Sequence, residues 1–145
     1  MANKRLNVTR REFSDSYRRH YRLYKNTIGD SKTRRLILFY SVECGLKSLI
    51  MKNTGNDTYE KLEKYCKGHG KGELVGHNIK EMLKEVNPRN AFVLKNIELK
   101  GSGGSVEPKK FNEMWRYGVA VADAREEEKA EYTLAKIAEW LNTRL

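Results

Sequence analysis

The chain has 145 residues, 39% of them hydrophobic and 33% charged, which fits one globular domain of about 100–150 residues and excludes both a second full domain and a disordered polar chain. Its most apolar stretch, Leu36 to Val42, is broken by Ser41 and falls far short of the ~20 residues of a membrane helix, so no membrane partner is expected. Twenty-nine Lys and Arg against 19 Asp and Glu give a formal net charge of +10. Residues 1–35 hold eleven of those bases, among them Lys4, Arg5, Arg18, Arg19, Arg22, Lys25, Arg34 and Arg35, against only Glu12, Asp15 and Asp30. Such a density attracts polyanions, nucleic acid first among them, unless the charge merely solvates an arm.

A basic arm over residues 1–12 leads into a single helical domain over 13–145. Phe13, Tyr17, Tyr21 and Tyr24 recur at four, four and three residues, which predicts a helix with one aromatic face over Phe13 to Asn26. After the break at Ile28-Gly29-Asp30, Asp30 or Ser31 is placed to cap a second helix running to about Asn53. Its apolar set Leu36, Phe39, Val42, Leu46, Leu49 and Ile50 marks it as the most buried element. Asn53-Thr54-Gly55-Asn56 stops it, and Asp57 with Glu60 has capping-box spacing for a short helix over Thr58 to Lys67. Three glycines in Gly68-His69-Gly70-Lys71-Gly72 demand a mobile or tightly turned loop.

Ile79, Met82, Leu83 and Val86 form one stripe of an amphipathic helix over Asn78 to Val86, ended by Asn87-Pro88. Ala91-Phe92-Val93-Leu94 suits either a helical turn or a short strand. Gly101-Ser102-Gly103-Gly104-Ser105 has the composition of a flexible linker, either an engineered bridge across an excised loop or a native glycine-rich loop. Pro108 suits the first turn of a helix through Tyr117. A final helix over Asp123 to Leu145 carries Leu134, Ile137, Ala138, Leu141 and Leu145 on one stripe, with Glu126, Glu127 and Glu128 near its start, where the helix dipole favours acids. The expectation is an all-α fold, a four- or five-helix antiparallel bundle.

No Walker loop is present, and Cys66, His69 and His77 lack a fourth ligand at a zinc-site spacing, so no cofactor and no metal are expected. Cys44, in mid-helix, reads as a small core residue. With Cys66 it makes up the whole cysteine complement, which together with the lack of an apolar leader in Met1 to Arg11 predicts a reducing, cytoplasmic setting. Glu43 and Lys47 have the favourable order for a helical ion pair, and Lys47 is either a phosphate contact or half of a structural pair. His77 opens its short helix. Arg116 and Tyr117 follow Trp115 at a loop edge, a combination suited to clamping a phosphate and stacking on a base, or to anchoring the core.

Taken in order, Tyr40-Ser41-Val42-Glu43-Cys44-Gly45-Leu46-Lys47-Ser48-Leu49-Ile50, then Gly76-His77-Asn78-Ile79-Lys80-Glu81-Met82-Leu83, then Arg116-Tyr117 before a long last helix resemble the HEPN superfamily over roughly residues 31–145. The resemblance implies a four- or five-helix bundle, often dimeric, of the kind found in toxin–antitoxin, antiphage and CRISPR-linked systems, many of whose members are metal-independent ribonucleases. Those ribonucleases carry an Arg, then four to six residues, then a His. Here no arginine stands at that distance before His20, His69 or His77, and no histidine follows Arg116. Only Lys64 with His69 or Lys71 with His77 keeps the spacing, and lysine lacks the planar fork of arginine.

The expected function is therefore a HEPN-like module that binds nucleic acid, RNA in preference to DNA, or a nucleotide. Its contacts would be Arg18, Arg19, Arg22, Lys25, Arg34, Arg35, Lys47, Arg116 and Tyr117. One alternative is a ribonuclease effector with His77 as acid or base and Arg116 as clamp. A second is a protein-interaction subunit, as a homodimer or with a partner protein.

Overall fold

The computed structural model describes residues 6–29, 31–87, 89, 91–101 and 103–145. Lys4 and Arg5 of the basic arm, the alternative cap Asp30, the helix-ending Pro88 and Ser102 of the glycine-rich segment lie outside them. Among the described residues there are six α-helices and one two-stranded hairpin, and no helix is long and apolar enough to cross a membrane.

Helix α1 (Arg10–Asn26) begins before Phe13 because Thr9 and Glu12 cap it reciprocally: Thr9 Oγ1 accepts from the Glu12 N–H, and the Glu12 carboxylate accepts from the Thr9 N–H. Helix α2 (Lys32–Thr54) is capped by Ser31, whose hydroxyl accepts from the Arg34 N–H at 3.1 Å. Helix α3 (Tyr59–Gly68) is capped by Thr58 and not by Asp57. Thr58 has the extended backbone a cap needs, while the Asp57 carboxylate turns to Lys61 Nζ at 3.0 Å.

A tight turn and a 3₁₀ segment, Gly72–Val75, lead to helix α4 (Ile79–Val86). Residues 91–94 form neither of the two expected elements. The chain runs irregularly to strand β1 (Ile97–Glu98), which pairs antiparallel with β2 (Ser105–Val106) in the register Ile97↔Val106 and Glu98↔Ser105. Gly101 and Gly104 both take φ of +75° in the connection, a conformation open to glycine and costly for other residues. Pro108–Lys110 makes a 3₁₀ turn ahead of helix α5 (Phe111–Tyr117), and Asp123 caps helix α6 (Ala124–Asn142).

Side-chain pairings fix the helix directions. Ser14 meets Ser48 and Arg34 meets Tyr24, so α1 and α2 are antiparallel. Arg35 bonds Glu131, Gly45 abuts Leu141 and Lys52 reaches the Arg144 carbonyl, so α2 and α6 are parallel. The bundle is thus not uniformly antiparallel: α3, α4, the hairpin and α5 carry the chain back across it before α6 starts. The core holds Leu38, Phe39, Val42, Leu46 and Ile50 of α2 against Leu134, Ile137, Ala138 and Leu141 of α6, all fully buried. Glycine is required where the helices cross, because a Cβ at Gly45 would lie 2.7 Å from Leu141 Cδ1 and 2.9 Å from Tyr17 Cδ1.

Candidate nucleic-acid interface

The aromatic face of α1 points inward and its hydroxyls tie it to α6. Tyr17 donates to the Ala138 carbonyl, Tyr21 to Glu139 at 3.1 Å and Tyr24 to Glu131 at 2.6 Å. Burial pushes the phenol of Tyr24 up to about 12, so it remains a donor at any physiological pH. The opposite face is left to solvent, and on it Arg11, Arg18, Arg19, Arg22 and Lys25 are exposed. Arg18 reaches Asp15 at 3.6 Å and Lys25 lies 4.7 Å from the Tyr21 ring centre. Among the described residues Arg11, Arg19 and Arg22 have no carboxylate partner.

Arg34 and Arg35 do not join this face. Arg34 lies over the Tyr24 ring at 4.0 Å and binds Glu131 at 2.7 Å. Arg35, 4% exposed, spans Glu127 at 2.8 Å and Glu131 at 2.7 Å. Glu127 also accepts from the Trp115 indole at 2.9 Å and from Lys32 at 3.2 Å. Of the acids at the start of α6, Glu127 therefore serves as a counter-charge to α2 rather than only as a complement of the helix dipole, and Glu131 does the same a turn later. Burial pushes the Glu131 carboxyl up, but hydrogen bonds from Tyr24 and Arg35 and the two guanidinium charges outweigh it and hold it below the usual glutamate range.

A second polar stripe runs along α2. Tyr40, Glu43 and Lys47 follow the helical period, and each meets a different element. The turn before α4 is held by Tyr59, which donates to the Val75 carbonyl at 2.6 Å; this places His77 where its Nδ1 bonds Glu43. Lys47 lies 3.9 Å from Glu43 and within 6 Å of the Phe13 and Tyr59 rings (5.9 and 5.6 Å). It is buried, so it belongs to the structural pair and not to the open basic face. Arg116 donates to the Tyr40 hydroxyl from the end of α5, and Tyr117 beside it is exposed.

His77, Glu43 and Lys47 thus meet along one side of α2, and Arg116, bonded to Tyr40 one turn away, is near enough for its charge to act on the imidazole. The Glu43 hydrogen bond raises the pKa of His77 above its ordinary value, against the opposing effects of burial and of the Lys47 and Arg116 charges. With Nδ1 committed to Glu43, Nε2 is the ring nitrogen left for a ligand, and the side chain is 54% exposed. On the other flank, Cys44 bonds Ser16 of α1 at 3.4 Å. Burial raises the thiol's pKa, and the nearby Arg19 charge only partly offsets this, so Cys44 is a poor nucleophile.

His69 stacks on Tyr65 at 4.1 Å and bonds the Tyr65 carbonyl, while Cys66 is buried. No group of three or more metal-binding side chains forms among the described residues. Sequence reasoning paired Glu43 with Lys47 but missed two long-range contacts of this stripe. Glu43 is the partner of His77 across 34 residues, and Tyr40 is the partner of Arg116 across 76; the spacing of Tyr40, Glu43 and Lys47 on one helix face was the available signal. Comparison with known proteins adds no relative: no protein-family model, curated protein or solved structure matches the chain.

Proposed function

We propose that this chain is a HEPN-like helical module that binds nucleic acid, RNA in preference to DNA, along the outer face of α1, with Arg116 and Tyr117 at the end of α5 as further contacts. The observation that carries the reading is the row Arg11, Arg18, Arg19, Arg22 and Lys25, exposed on one helix and short of carboxylate partners. Charge that the fold has not neutralised is the charge that releases counterions when a phosphate backbone binds. Single-stranded RNA titrated by fluorescence anisotropy at several salt concentrations tests it. The variant R18E/R19E/R22E is expected to lose salt-sensitive binding while unfolding at the same temperature as the parent chain. Unchanged affinity overturns the reading.

A second reading, a ribonuclease effector, is favoured by the Glu43–His77 bond beside Arg116. An imidazole oriented through Nδ1 presents Nε2 for proton exchange with a ribose hydroxyl, and the guanidinium supplies charge for the phosphate as negative charge builds on it. Metal-free cleavage of RNA that disappears in His77→Ala supports this reading. Cleavage that persists in that variant, or that is absent from the parent chain, refutes it.

A further inference from the structure

Helix α6 presents a second basic surface on the side turned away from α2. Arg125, Lys129, Tyr132 and Lys136 are all exposed and recur at four, three and four residues, one stripe of a helix with an aromatic ring in its middle. Arg125 is held by Asp123 at 3.2 Å. Lys136 sits 4.7 Å from the centre of the Tyr132 ring, and neither Lys129 nor Lys136 has a carboxylate within ion-pair distance among the described residues.

Beside the ring lies a cleft of about 340 Å³, walled by Tyr132, Lys129 and Thr133 on one side and by Val93, Lys95 and Asn96 on the other, with Ile97 and Ala130 beneath. Tyr132 and Val93 are 63% and 61% exposed, two large side chains left to solvent in the lining of one cleft. The volume is at the low end of small-ligand clefts, about 300–1,000 Å³, and is suited to a single nucleoside rather than to a protein segment.

We propose that this cleft takes one unstacked base of a single-stranded RNA, the base lying on the Tyr132 ring and its flanking phosphates meeting Lys95, Lys129 and Lys136. The proposal rests on the nucleic-acid reading above and extends it to a second contact point. An aromatic face framed by unneutralised lysines is the arrangement that binds single strands without regard to sequence, because every base has a π-face and every nucleotide a phosphate. A duplex keeps its bases inside the stack and cannot use the ring. The charges that oppose binding are few. Glu126 lines the cleft, and its carboxylate already accepts the Glu98 N–H at 3.3 Å. On the far side of Tyr132, Glu131 is neutralised by Arg34 and Arg35, which leaves the exposed Glu128 and, one turn beyond Lys136, Glu139, which accepts from the Tyr21 hydroxyl at 3.1 Å. The side chains of Asn96 and Thr133 make no hydrogen bond among the described residues and are free to meet the edge of the base.

The test uses the full chain, a fluorescein-labelled 12-nucleotide oligoadenylate, and the same strand annealed to oligouridylate. Tyr132→Ala is expected to weaken single-strand binding roughly tenfold, the scale of one base stack, to leave duplex binding within twofold, and to leave the unfolding temperature unchanged. Tyr132→Phe, which keeps the ring, should bind as the parent does. Lys129→Glu should weaken both probes and flatten the salt dependence.

Single-strand affinity within twofold of the parent in Tyr132→Ala, or equal losses on single strand and duplex, overturns the proposal. So does a polyglutamate peptide that displaces the RNA from the parent chain but not from Tyr132→Ala, because the cleft would then belong to an acidic peptide. If R18E/R19E/R22E abolishes binding while Tyr132→Ala does not, the α1 reading stands and the cleft fails. The reverse result leaves the cleft and removes α1. No binding by the parent chain removes both.

Discussion

The arginines on the outer face of α1 and those at the start of α2 are the same residue type, a few positions apart in one basic run, and the fold gives them opposite roles. Arg18, Arg19 and Arg22 project from the helix face opposite the tyrosines and keep their charge in water. Arg34 and Arg35 project toward α6 and close a network in which Glu127, Glu131, Tyr24 and Trp115 all take part. Local charge density is therefore a poor guide to the electrostatic surface. What matters is whether another helix brings carboxylates to the same place, and here the acids come from a segment about 100 residues further along the chain.

The largest expected effect breaks the paired side of the comparison. Arg35→Ala leaves Glu127 and Glu131 without their shared guanidinium and should cost about 3–5 kcal/mol in urea unfolding, the range for removing one partner of a buried pair. A loss below about 1 kcal/mol would show that the two carboxylates are solvated, and the contrast with α1 would collapse. Leu46→Ala, an apolar change in the same helix, is expected to cost about 2–5 kcal/mol and gives the scale for comparison.

Acid should probe the same network. Glu131 is held below the ordinary value of 4.5 in the folded chain, so its contribution is present above that value and is lost as pH falls through the lower folded one. Glu131→Gln should remove this part of the acid dependence, read as a flatter stability profile below pH ~5.

The Glu43–His77 pair offers a smaller effect of opposite sign. His77 has a folded pKa above its ordinary 6.5, so the stability it gains from Glu43 is complete below that value and fades as pH rises through the folded one. The difference in stability between the parent and His77→Ala should therefore be larger below pH 6.5 than at alkaline pH. A pH-independent difference would mean that the hydrogen bond does not favour the charged ring.

The smallest effect on stability lies on the open side. Arg19→Ala should change it by no more than about 0.5 kcal/mol, as ordinary surface substitutions do, yet lower the salt slope of RNA binding by about one contact. Arg34→Gln, by contrast, should leave that slope unchanged.

Much of the fold is legible in local pattern. The tyrosine spacing gives α1, the apolar run gives α2, and the stripes of α4 and α6 give their buried faces, because helical period and burial leave a one-dimensional trace. Caps are less legible: Thr58 and Asp57 are both cap-competent residue types, and backbone geometry chose between them. The candidate site was legible as three separate fragments, the middle of α2, the residue that opens α4 and the end of α5. The family pattern set them in order along the chain, but nothing in local sequence relates His77 to Glu43.

By itself the sequence determined an all-α chain, the order and approximate extent of its main helices, and an excess of positive charge concentrated at one end. Those follow from short-range terms: backbone propensity, side-chain period, capping chemistry and simple composition. Long-range packing alone sets α2 parallel to α6, neutralises Arg34 and Arg35 while leaving Arg19 and Arg22 without a carboxylate, and stands Tyr132 over a cleft lined by lysines. Each of these depends on which distant surfaces meet when the apolar faces are buried together, and burial of those faces is a property of the whole chain.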